Sequence, residues 1–433
     1  MLDRFFRLSE HGTTPGTEVR AGVATFLTMG YILFVNPQIL AQVGMPAEDV
    51  TLATALAAAL ATLVMGLYAR YPFALAPGMG LNAYFTFGVV LGMGVSYQVA
   101  LAAVFVEGLL FLMLTAGGVR TAIINAIPKT LKTATMSGIG LFLAVIGLAN
   151  GEVVVAHPET LVTLGDVHSP TVLLTLFGLV LMGALLARRV PGALLLGILI
   201  ITGIAWVAGL AAAPSRVFSL PGLPRETFLA FDFSTLLTGS FVTVVLAFLF
   251  VDFFDTAGTL IGVGQLGGFL DDEGRLPRAN RAFAADAVGT TFGAILGTST
   301  VTSYIESATG IEEGGRTGLT AVVVAALFVL ALFFTPVITA VPVAATAPAL
   351  VVVGALMMKG ARNILWERHD EAVPAFLTMA AMPLTYSIAN GIALGIVSYV
   401  LLKILAGKMR DVHGLMYALA VLLVLYYGVV GKI

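Results

Sequence analysis

The chain has 433 residues, 59% of them hydrophobic and 11% charged, with a mean hydropathy of +1.01 and a formal net charge of -2. Soluble domains are roughly a quarter charged, so this composition belongs in lipid and argues against bulk nucleic-acid binding. Cysteine is absent, which removes disulfides, thiolate metal sites and thiol nucleophiles.

The first twenty residues are polar and lead into an apolar run long enough to remain as a span, so no cleavable signal peptide is expected. A spanning helix needs about 20 mostly apolar residues, and about fourteen segments read this way, among them Thr51 to Leu67, Val99 to Leu114 and Thr171 to Ala187. Basic residues fall on alternate loops: Arg4 and Arg7, then Arg70, then Arg120, Lys129 and Lys132, then Arg188 and Arg189. Glu152, Glu159 and Asp166 lie between two of these groups, and Arg216, Arg225 and Asp232 belong to a wet loop on that opposite side. The positive-inside rule then places the N-terminus in the cytoplasm. Arg275, Arg278 and Arg281, and later Lys359, Arg362 and Arg368, keep the parity if the segment around Ser303 to Ile311 crosses; Lys403, Lys408 and Arg410 break it.

Two segments are interrupted. Arg70 to Gly94 is apolar, but Pro72, Pro77, Gly78 and Gly80 divide it into an extended piece and a half-helix from about Met79. Gly297 to Ser303 is rich in β-branched and hydroxyl residues and precedes a short helix carrying Glu306. Asn82 and Glu306 are 224 residues apart, Asn36 and Asp255 are 219, and Pro128 and Pro342 are 214. Offsets near half the chain length indicate a duplication, and seven spans per half force the halves into opposite orientations. The predicted fold is an all-α polytopic membrane protein of about fourteen segments, arranged as 7+7 inverted repeats with short strands and half-helices in spans 3 and 10.

Irregular backbone at membrane depth persists only where protein or a watery cavity satisfies it, so the two broken segments are expected to meet around a polar solute. Asp252, Asp255 and Glu306 lie in or beside apolar runs, where ionisable groups are costly and functional by default. Asp252 and Asp255 are three residues apart and can face one interior surface. Asn82 offers a donor pair and an acceptor, although capping of the half-helix is its plainer use. The candidate substrate contacts are Asp255, Glu306 and Asn82, with Thr256, Ser303, Gly78 and Phe85 beside them; Asp252, Asp255 and Glu306 are the candidate proton carriers. The other aromatics here, Tyr84, Phe253, Phe254 and Tyr304, read mostly as packing.

Other motifs carry little. Gly262 to Gly267 matches G-x-G-x-x-G, but it ends a membrane span instead of joining a strand to a soluble helix. No P-loop occurs. His11, His157, His168, His369 and His413 show no ligand spacing, so no metal or other cofactor is expected. The run Asp271, Asp272 and Glu273 reads as a solvated loop. An intramembrane aspartyl protease is disfavoured because G-x-G-D is missing and both aspartates share one helix.

Four stretches carry a resemblance: Thr25 to Leu33 with Asn36-Pro37, Ala76 to Phe85, Phe250 to Thr259, and Thr298 to Gly315. Together, in this order, they resemble the AzgA-like adenine, guanine and hypoxanthine permeases, with small departures at Gly30 and Phe254. The resemblance implies the fold of the uracil and xanthine permeases, with a core domain (1–120 and 234–340) and a gate domain (121–233 and 341–433). It also implies that Asp255, Glu306 and Asn82 bind a purine nucleobase, that Asp252 is a family acid, and that the protein resides in the cell inner membrane. Proton symport and a homodimer are compatible with this architecture. Uracil or xanthine as substrate, or an inorganic anion carried by the same fold, are the alternatives.

Overall fold

In the computed structural model, residues 2–116, 128–236, 238–271 and 275–430 are described. Arg120, Asp272, Glu273, the side chain of Phe254 and the boundary between 120 and 121 lie outside the described residues.

In lipid a spanning segment has to satisfy its own backbone, and the apolar runs accordingly form helices. After α1 (Leu2–Phe6), the first span is α2 (Pro15–Met29), capped by the Thr14 side chain, followed by α3 (Ile32–Ala41). The break at Gly30-Tyr31 turns the Tyr31 side chain inward, where it is fully buried. α4 (Ala47–Val64) runs into a wider π turn that ends at Arg70. Strand β1 (Leu75–Pro77) and α5 (Met79–Ala83) form the first interrupted segment, extended by a π-helical stretch to Leu91. α6 (Tyr97–Ala116) and α7 (Lys129–Asn150) follow, then a hairpin of β2 (Val154–His157) and β3 (Leu161–Leu164). α8 (Pro170–Ala187) and α9 (Ala193–Val207) close the first half.

The second half repeats this order with α10 (Gly239–Leu266), α11 (Ala279–Leu296), β4 (Val301–Ser303) leading to α12 (Ser307–Glu312), and α13 (Gly318–Ala331) with its short continuation α14 (Thr335–Thr339). α15 (Val343–Met357), α16 (His369–Leu384) and α17 (Ile388–Leu405) complete it. Pro128 and Pro342 cap α7 and α15, the corresponding helices. Seven segments therefore pair with seven, and α18 (Gly414–Val430) stands outside the pairing. Among the described residues nine helical segments of 18 to 27 residues are apolar enough to cross a membrane. The interrupted and shorter segments make up the remaining spans.

The expectation that Lys403, Lys408 and Arg410 break the charge parity is corrected here. α16 has only 16 residues and contains Pro374 and Pro383, so its sequence lacks the uniform look of a span. It nevertheless runs antiparallel to α17 through the turn at Thr385, and Lys403 returns to the start of α16. The Lys403 Nζ lies 2.6 Å from both Asp370 Oδ2 and Glu371 Oε1. Lys408 and Arg368 reach the same Asp370 carboxylate at 3.1 and 3.2 Å. These basic residues share one end of the bundle with Lys359 and Arg362, as the parity demands.

Candidate binding cavity between the interrupted helices

β1 and β4 pair antiparallel, with Leu75 opposite Ser303, Ala76 opposite Thr302 and Pro77 opposite Val301. The ladder continues at both ends, from Gly78 N to Thr300 O (3.0 Å) and from Tyr304 N to Ala74 O (2.9 Å). Each strand is short, and its outer edge would leave bare N–H and C=O groups at membrane depth. A threonine from the preceding helix satisfies each one. On α4, the Thr62 hydroxyl donates to the Leu75 carbonyl and accepts from the Leu75 N–H, both at 2.9 Å. On α11, the Thr290 hydroxyl does the same for Val301, at 3.0 and 3.2 Å. The same device in both halves is what an inverted duplication produces.

The hydroxyl-rich stretch before and through β4 ties this crossing to helices all around it. The Asn36 amide donates to Thr54 (2.7 Å) and Thr298 (2.8 Å), the Ser299 hydroxyl donates to the Asn82 side-chain carbonyl, and the Thr300 hydroxyl donates to Glu107 at 3.4 Å. Gly297 turns the chain out of α11 with φ +95°, and a Cβ there would collide with Thr227.

On one side of the crossing lies a cavity of about 640 Å³, within the range of small-molecule sites. Asp255, from α10, and Glu306, at the start of α12, both line it. The Tyr31 hydroxyl donates to Glu306 Oε1 at 2.6 Å, and Thr302 lines the same cavity as Asp255. The buried Tyr304 hydroxyl is held by the Pro77 carbonyl at 2.6 Å. The facing wall is different: Met136 from α7 and Val353, Leu356 and Met357 from α15 are apolar, and Lys359 and Asn363 stand at its exposed edge. A cavity with carboxylates and hydroxyls on one wall and aliphatic and thioether groups on the other suits a flat polar ring with several N–H groups along its edge. A second cavity, of about 110 Å³, lies between α10, α17 and α18 and is lined mainly by apolar side chains.

The structure brings Asp255, Glu306, Gly78 and Ser303 to the larger cavity. It places the other four candidates behind that wall. Asp252 and Thr256 are fully buried, and the Thr256 hydroxyl sits 3.3 Å from Asp252 and 2.8 Å from Asp286. Asn82 is fully buried at its bond to Ser299, with its amide nitrogen unpartnered. Phe85 is enclosed beside Phe248, with ring centroids 6.3 Å apart. Asp252 and Asp255 therefore serve different surroundings despite their spacing. Sequence reasoning passed over Tyr31, Thr302 and the whole apolar wall, and also Glu107 and Asp286, which the cost of burying acids would have flagged. Among the described residues no group of three metal-ligating side chains gathers.

The sequence profile of the Permease family, the xanthine and uracil type, matches residues 16–394. The chain is 46% identical to the guanine/hypoxanthine permease PbuG of Bacillus subtilis, over 98% of this chain and 99% of that one. It is 44% identical to the adenine permease AdeP of Escherichia coli, over 98% and 95%. Among solved structures it is similar to the transmembrane domain of a cyanobacterium bicarbonate transporter, BicA, with a TM-score of 0.66 and 17% identity, covering 87% of this chain and 97% of that one. At that identity the likeness speaks for the fold alone.

Proposed function

We propose, from the premise that this chain belongs to the AzgA-like purine permeases of the Permease family, that it imports adenine, guanine or hypoxanthine across the cell inner membrane by proton symport. The observation that carries this reading is the convergence of Asp255 from α10 and Glu306 at the start of α12, both in the second inverted repeat, on a cavity that the first repeat completes with Tyr31 and Gly78. A purine is neutral, so its passage buries no net charge, and its ring N–H groups match two carboxylate acceptors. Thr302, Ser303 and the backbone beside Gly78 supply donors and acceptors for the rest of its edge. Asn82, Thr256 and Phe85 support that wall from behind.

Alternating access is read as movement of the gate domain (121–233 and 341–433) against the core domain (1–120 and 234–340). Packing supports the division: α7 lies on α15 and α16, whereas α6 lies on α11, and α13 lies on α2 and α4. The cavity draws one wall from each group. A carboxyl among Asp252, Asp255 and Glu306 takes a proton outside with the base and releases it inside. The alternation of basic loops supports a cytoplasmic N-terminus, and a homodimer would hold the gate domains still while the cores move. An inorganic anion carried by the same fold is the second reading, but two carboxylates in the cavity oppose an anion.

The test is uptake of radiolabelled adenine, guanine, hypoxanthine, xanthine and uracil into cells without their own permeases, followed by uptake into liposomes with an imposed pH gradient. Saturable purine uptake that rises with an inward proton gradient is expected. No uptake of any base by well-expressed protein would overturn the substrate class, and indifference to the gradient would overturn the coupling.

A further inference from the structure

The apolar wall of the cavity is built by an unusually close helix crossing. A Cβ on Gly140 of α7 would lie 2.6 Å from the Gly354 carbonyl oxygen of α15, and one on Gly147 would lie 2.8 Å from the Ala347 carbonyl. Gly354 in turn meets the Gly140 carbonyl. As the chain advances from 140 to 147 on α7, its partner falls from 354 to 347 on α15, so the helices are antiparallel and the register is fixed. Met136 lies about one turn before Gly140, and Met357 about one turn after Gly354. In an antiparallel pair those two displacements run toward the same end, which sets the two methionines side by side. Both line the cavity, half-buried, opposite Asp255 and Glu306.

We propose that Met136 and Met357 form a thioether platform on the gate wall that receives the ring face of the base and sets how large a ring is carried. The inference rests on the reading of the chain as a nucleobase permease. The core wall can take the hydrogen-bonding edge of the base through Asp255 and Glu306, and a flat heterocycle has a π face as well as an edge, which the methionines opposite can receive. Thioethers make favourable contacts with aromatic rings and, being unbranched, adapt to rings that differ in substituents. The glycine crossing fixes the depth of the platform, because neither helix can retreat or advance without separating backbones already in contact. Purine tolerance then comes from the flexible side chains, and the upper size limit comes from the rigid crossing beneath them.

The test compares wild type with Met136→Phe, Met357→Phe, Met136→Ala and Met357→Ala, measuring KM and Vmax for the transported purine and the inhibition constants of uracil and of N6-benzyladenine. The phenylalanine variants are expected to raise the purine KM about tenfold or more relative to any change for uracil, since a misfit of one or two methylene groups in an apolar pocket is worth about 10- to 200-fold. The alanine variants are expected to improve inhibition by N6-benzyladenine by about tenfold, and they decide the matter if the bulkier variants fail to express. Changes in Vmax or expression that affect all three compounds alike, with their ranking intact, would overturn the proposal and leave the methionines as packing. A wild type that transports no base would overturn the permease reading as well, whereas normal wild-type uptake with unchanged ranking in every variant overturns this inference alone.

Discussion

The two walls of the cavity solve the same problem by opposite means. Around β1 and β4 the chain gives up continuous helix, and a network of hydroxyls and amides on other helices replaces the lost backbone bonds. Across the cavity, α7 and α15 keep continuous helix through the contact and meet backbone to backbone at glycines. The first arrangement presents polar groups at a fixed place but depends on many partners. The second presents an apolar surface and depends on a single helix crossing. Recognition by hydrogen bonds should therefore fail when a polar atom is lost from the polar wall, and the apolar wall should fail when volume is added to it.

The sharpest way to test the polar side is to remove one acceptor without changing its shape. Glu306→Gln and Asp255→Asn should each reduce purine uptake by about a hundredfold or more, because a site built around a buried hydrogen-bonding partner discriminates strongly against its loss. Initial rates at matched expression check this. Retained uptake in either variant would move recognition away from that carboxylate.

Within the group assigned to the gate, the glycine crossing comes next. Gly354→Val should cost about 3 kcal/mol or more by overpacking, whereas Gly183→Val on α8, where a Cβ meets nothing within 4 Å, should melt like wild type. Equal melts for the two would deny that the crossing is tight. The least replaceable polar feature there is the ion cluster at the α16–α17 end. Lys403 is only 1% exposed and bridges Asp370 and Glu371. Lys403→Met should destabilise the protein by about 1–3 kcal/mol, because Glu371 loses its close partner while Asp370 keeps Lys408 and Arg368. A thermal melt in detergent would detect it, and an unchanged melt would show that water reaches the acids.

Much of this contrast was legible in the chain. Prolines, glycines and hydroxyl residues inside apolar runs marked both interrupted segments, since helix breakers at membrane depth have few other uses. The acids at 255 and 306 stood out because burying them in lipid is expensive. The same rule, applied to Glu107 in its apolar run and to Asp286, would have found the polar groups behind the wall. The division of labour between Asp252 and Asp255 was not legible, because helical spacing leaves both on overlapping faces until the neighbouring α11 contributes Asp286 and claims the first of them through Thr256. The gate wall was hidden for a different reason: methionine, valine and leucine look the same in a core, a lipid face or a pocket. Only the antiparallel register of α7 against α15, with Gly140 and Gly354 separated by the same 214 residues as Pro128 and Pro342, picks out Met136 and Met357.

Tyr31 gives the finest test of how the core wall is held, because it touches the cavity and also anchors one of its acids. The break between α2 and α3 exists at Gly30-Tyr31, and the phenol it delivers donates to Glu306 at 2.6 Å. Tyr31→Phe keeps the ring in its fully buried place and removes only the donor. Glu306 stays in reach of the base but loses the bond that fixes its rotamer, a loss of about 1–1.5 kcal/mol and so a rise in purine KM of up to about tenfold. Vmax should change less, since the carboxylate itself remains. A KM equal to wild type would mean that the backbone at the start of α12 orients Glu306 unaided, whereas a collapse as deep as that of Glu306→Gln would mean that the phenol itself binds the base.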